Sequence, residues 1–202
     1  MDIFDDESEL SRFADAINRR GHAAVFAQIS HDASHRSWTE LNVAREWAKA
    51  LYTLECVEIV SVHSVVSDPP DCLGYLDGRE VTIELTEFVN RELLAKIDRY
   101  NREAGYRSTS NDMFFDEALW TEEKFTEKLG KEITSKNEKY RSRSLLIDYL
   151  ILYSGEDWLT PHQIKEWLDR AKFQPTSNIA ACYFVRDYIP SYSEHWPIFK
   201  VF

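Results

Sequence analysis

Glycine and proline are scarce in this chain of 202 residues, six of each, which argues against long linkers and low-complexity disorder. Cysteine is scarcer still. Cys56, Cys72 and Cys182 are odd in number and far apart, so neither a disulfide framework nor a thiolate zinc site is expected, and free thiols in a reducing cytoplasm are. No apolar run approaches the ~20 residues that a membrane helix needs. The first ten residues, MDIFDDESEL, are acidic where a secretory or transit peptide would be basic, so a cytoplasmic location and no membrane partner are expected. There is no Gly-rich phosphate loop and no Ser in a G-x-S-x-G elbow. Positive charge is also short: 24 Lys and Arg face 35 Asp and Glu, a net charge of −11. A chain of this charge is no indiscriminate nucleic-acid coat. Residues 128–143 nevertheless hold six bases and two acids, a local strip able to meet phosphate.

What the chain does have is core-forming material. A hydrophobic fraction of 44% with 13% aromatics suits one domain over residues 1–202. Apolar spacing predicts helices over 7–19 and 38–54, the second with Thr39 as a candidate cap and Leu41, Ala44, Ala48 and Leu51 as its stripe. The segment 23–30 reads either way. Residues 57–66 alternate and are β-branched, hence a strand, which the prolines of SDPP end. Strand-like runs 72–76 and 79–88 follow, then a helix over 88–101, a polar loop over 101–113, a long helix over 121–141 and a continuously apolar strand over 144–153. Thr160-Pro161-His162-Gln163 carries the residues of a capped helix start, and strands over 179–188 and 197–202 end the chain. The expected class is α/β, a mixed sheet flanked by helices, in the order αβββαβ with α-β-β added.

Asp77-Gly78 separates the second and third strands, and both residues tolerate the positive φ of a type I′ turn. A two-residue loop there sets Leu76 against Arg79 and, further along the ladder, Asp71 against Glu84. Directly opposed residues share a face with Cβ atoms about 4.5–5.5 Å apart. Asp71, Thr82, Glu84 and Thr86 then lie on one side, with Val81, Ile83, Leu85, Cys72 and Gly74 on the core side. Two adjacent carboxylates repel, so keeping both ionised requires a cation, and a divalent metal with oxygen ligands fits. The alternative is a polar, solvent-facing strand surface.

In the helix 121–141, Phe125, Leu129, Ile133 and Tyr140 form an apolar stripe, and Lys136 completes the same series. A lysine on an inward stripe must snorkel outward or find an acid. Lys128, Lys131 and Lys139 read as belonging to other faces.

Pro70-Asp71, twelve intervening residues and Glu84-Leu85-Thr86 at the end of a hydrophobic strand resemble the PD-(D/E)xK nuclease superfamily. The resemblance covers about residues 38–154 and is closest to the variant group with Thr at the third motif position. It implies a restriction-endonuclease-like core, a Mg²⁺- or Mn²⁺-dependent phosphodiesterase, nucleic acid as partner with DNA ahead of RNA, and room for a homodimer. Asp71, Glu84 and the Leu85 carbonyl are the implied metal ligands. An N-terminal helical Glu often completes such sites, with Glu46 the first choice and Glu40 its rival. Thr86 stands where the family usually has its catalytic lysine, and Lys136, from the following helix, is the implied replacement. A nuclease-like fold that binds or regulates without catalysis is the alternative.

Overall fold

A computed structural model describes residues 33–66, 69–92, 95, 96, 99, 119–156, 159–187, 189 and 195–202. The predicted helix 7–19, the segment 23–30 and the loop 101–113 lie outside them. Helix α1 spans Ala33–Glu55. It begins well before residue 38, so Thr39 is a buried residue of the helix interior and not its cap. Strands β1 (Ile59–Ser64), β2 (Cys72–Leu76) and β3 (Arg79–Glu87) follow, then α2 (Glu122–Ser142), β4 (Ile147–Ser154), α3 (Pro161–Ala171), β5 (Ile179–Arg186) and β6 (Ile198–Lys200). The described residues of the predicted helix 88–101 that are helical are 91, 92, 95, 96 and 99.

The six strands form one sheet in sequence order. β1, β2 and β3 are an antiparallel meander; β3, β4 and β5 are parallel; β6 returns antiparallel. The sheet is therefore mixed, flanked by helices, and of the α/β class. Among the described residues no helix is long and apolar enough to cross a membrane.

Two hydrophobic clusters cover the two faces. Val43, Ala44, Trp47, Ala48 and Leu51 of α1 pack on Ile59, Val62, Val81, Ile83 and Leu85. On the other face Phe125, Leu129, Ile133 and Tyr140 of α2, with Ile164 and Trp167 of α3, pack on Leu150, Leu152 and Phe184. β4 alternates between the clusters, Ile151 and Tyr153 toward α1 and Leu150 and Leu152 toward α2. That accounts for its unbroken apolar sequence.

Local signals explain the joints. Asp77 and Gly78 have φ of 50° and 77°, and the ladder runs from Leu76 opposite Arg79 to Cys72 opposite Ile83, the predicted register. Thr160 and Gln163 complete a reciprocal capping box at α3, with Pro161 in the first turn. β4 starts three residues later than predicted, because α2 runs to Ser142 and Ser144 turns the chain with φ 55°. β1 is shorter than predicted and bulged at Ser61, φ 54°, where its register against β2 shifts. Asp148 staples the start of the parallel pair: its carboxylate accepts from the Thr82 amide and hydroxyl and from Arg79, and its own amide donates to Thr82 Oγ1.

The buried Glu156 anchors both segments that flank the entry to α2. It accepts from the Asn90 amide and from Trp120 Nε1. Burial pushes its carboxyl up despite those bonds and the nearby Lys128 and Arg186 charges.

Candidate metal centre

β3 brings Glu84 to the α2 face of the sheet, beside Leu150 of β4. That face is not open to solvent, as a polar strand surface would be, because α2 lies over it. Glu84 is 1% exposed. The lysine on the α2 stripe meets it there: Lys136 Nζ donates to Glu84 Oε1 at 2.8 Å, and the lysine side chain is 20% exposed. Phe125, Leu129, Ile133 and Tyr140 are buried on the same helix face, so the apolar stripe docks α2 in the rotation that delivers the ammonium.

Asp71 precedes β2 by one residue. Its Oδ2 accepts from the Leu85 amide at 2.8 Å, which holds it beside the Glu84-Leu85-Thr86 segment. Burial, then the charges of Glu84 and Glu40, push the Asp71 carboxyl up to about 7; the Leu85 amide and Lys136 pull the other way. Asp71 therefore keeps its proton up to near neutral pH unless a cation displaces it. The linkage has a definite sign. The folded state binds this proton more tightly than the unfolded chain, so Asp71 contributes stability at acid pH that is lost as pH rises from about 4 to about 7. In metal-free buffer, urea midpoints of the parent should therefore fall relative to Asp71→Asn across that interval. A parent that gains on the variant over the same interval contradicts the raised value.

Two oxygens at this site are buried with no hydrogen-bond partner among the described residues, Glu84 Oε2 and Thr86 Oγ1. Such atoms are rare in folded proteins and costly, commonly about 1–3 kcal/mol each. Glu84 uses one oxygen for Lys136 and leaves the other unspent. The donor set of two carboxylates and the Leu85 carbonyl is hard oxygen, suited to Mg²⁺ or Mn²⁺. Among the described residues no three His, Cys, Asp or Glu side chains converge as a ready-made metal cluster, so the candidate rests on the carboxylate pair.

Of the two helical glutamates, Glu40 is the one whose charge reaches Asp71, where it raises the carboxyl. Glu46 pairs its carboxylate with Lys49 at 2.6 Å. Arg45 Nε donates to Val62 O, and Val65 N donates to Asp71 O. With Arg45 level with Val62, the preceding helical turn holding Glu40 lies toward the Asp71 end of β1. Six residues of helix separate the two acids by about 600°, so they cannot share a face.

A second lysine escaped the sequence reading. Lys139, expected on another face, brings Nζ to 3.9 Å from Glu84 Oε1 and is 33% exposed. Lys128 and Lys131 do pair elsewhere, with Glu132 at 3.0 Å and Glu127 at 2.6 Å. No protein-family model matches the chain, no curated protein matches it, and no solved structure matches it.

Proposed function

We propose that the protein is a Mg²⁺- or Mn²⁺-dependent nuclease-like phosphodiesterase acting on nucleic acid, DNA ahead of RNA, built on a restriction-endonuclease-like core. The observation that carries this reading is Glu84: a carboxylate 1% exposed, ion-paired through Oε1 to Lys136, with Oε2 buried and without a hydrogen-bond partner among the described residues. The element order αβββαβ and the resemblance of Asp71 and Glu84-Leu85-Thr86 to the PD-(D/E)xK pattern support it. Asp71, Glu84 and the Leu85 carbonyl are the residues that would hold the metal. The ion, when bound, supplies Lewis-acid polarisation of a phosphate and a more acidic water.

The chain's own groups divide the remaining work. Lys136 fixes the orientation of Glu84 and offers an ammonium to the charge that develops on a phosphate oxygen or attacking water. Thr86 presents a hydroxyl where the family pattern has a cation, so it can donate or accept one hydrogen bond but neutralises nothing. Glu40 adds negative charge near Asp71, which favours a divalent cation over a second proton.

A non-catalytic binding or regulatory protein is the second reading. It draws on the ion pair itself, since Lys136 already neutralises Glu84 without a metal. Labelled single- and double-stranded DNA and RNA, incubated with Mn²⁺, Mg²⁺ or EDTA, separate the two. Cleavage that requires the metal is the expected result. Intact substrates in every lane, from protein that binds the metal, would select the non-catalytic reading.

A further inference from the structure

Resting on the nuclease reading, we infer that Lys139 binds the phosphate adjacent to the scissile one, on a polynucleotide strand that lies along α2. Two ammoniums converge on one carboxylate oxygen, Lys136 at 2.8 Å and Lys139 at 3.9 Å. The first contact is a hydrogen bond, whereas the second is an electrostatic approach longer than any hydrogen bond. Lys139 is also the more exposed of the two, 33% against 20% for its side chain, so it faces the approach to the site while Lys136 closes its floor.

Helix geometry gives the two their order. Three residues advance about 4.5 Å along the axis and turn about 300°, which returns Lys139 to within about 60° of Lys136. The pair therefore lies along α2 rather than around it, and long lysine stems span the interval between neighbouring phosphates.

Charge complementarity sets the substrate class. Asp71 and Glu84, with the charge of Glu40 beside them, suit a divalent cation. The ammoniums of Lys136 and Lys139 are of the type that contacts two phosphodiester groups, those of consecutive linkages. A substrate with one phosphodiester can use only Lys136, so the site favours a polymer. The overall charge of −11 makes such local contacts the ones that register a nucleic-acid strand on this protein.

Steady-state kinetics with Mn²⁺ test this on a labelled DNA 20-mer and on bis(p-nitrophenyl) phosphate, which has a single diester. Lys139→Met should raise KM for the 20-mer about three- to tenfold with little change in kcat, and lower the slope of log affinity against log salt by about 0.7–0.9. Its effect on the single diester should be smaller. Lys139→Arg should restore the KM, and Lys131→Met, on an exposed flank of the same helix, should behave as the parent. A Lys139→Met enzyme with parental KM and salt slope overturns the inference while leaving the nuclease reading intact. So does an equal loss on both substrates, which would put Lys139 at the reacting centre. A parent that neither binds the 20-mer nor hydrolyses either substrate removes the nuclease reading itself.

Discussion

Lys136→Met should lower metal-dependent cleavage by about a hundred- to a thousandfold, the usual cost of deleting one preorganised electrostatic donor at a reacting centre. Methionine keeps the apolar stem that packs along the stripe of Phe125, Leu129, Ile133 and Tyr140, and deletes the ammonium alone. The same change leaves Glu84 buried without its hydrogen-bonded partner. Removing one half of a buried ion pair commonly costs about 3–5 kcal/mol; with Lys139 3.9 Å away and Lys136 partly exposed, a loss of about 2–3 kcal/mol is expected here. Chemical denaturation measures that loss, and saturating Mn²⁺ should recover part of it, because a cation on Glu84 replaces the missing charge. Lys131→Met is the matched control, since Lys131 is 74% exposed and pairs with Glu127. Lys139→Met cannot serve, because its ammonium reaches the same carboxylate. Cleavage within a factor of two of the parent would mean that the Lys136–Glu84 pair is only structural.

Much of the site was legible because its geometry is local. Asp77-Gly78 fixes a two-residue turn, the turn fixes the β2–β3 register down to Cys72 opposite Ile83, and Asp71, one residue on, accepts from the Leu85 amide. Lys136 was legible because it interrupts a stripe whose other members are all buried. The capping box at Thr160 and the doubly buried β4 were readable for the same reason, as short-range patterns with one physical solution each.

The misreadings involve contacts between distant segments. Sequence alternation alone does not say that a second layer covers the Glu84 face; the packing of α2 does that, and it converts a polar strand surface into a buried carboxylate. Lys139 lies about 300° around the helix from Lys136, which is about 60° short of a full turn and within reach of a long side chain. The choice between Glu46 and Glu40 depends on which turn of α1 lies level with the end of β1. That alignment is set by the Arg45 contact to Val62 and by a helix that starts at Ala33, neither of which apolar spacing encodes. Thr39 satisfies the local rule for a helix cap, but the helix begins at Ala33 and continues through it.

The carboxylate pair as a cation site is tested most directly by thermal unfolding with and without Mn²⁺, in the parent and in Glu84→Gln. Gln keeps the shape and removes the charge that faces the metal, while the comparison within each variant cancels the cost of the substitution itself. A ligand at about a hundred times its dissociation constant that binds only the folded state adds about 2.7 kcal/mol, which for a chain of this size raises Tm by about 5–10 °C. The expected result is a shift of that order in the parent and none in Glu84→Gln. The same shift in both proteins, or no shift in the parent at millimolar Mn²⁺, would contradict a metal held by Asp71 and Glu84.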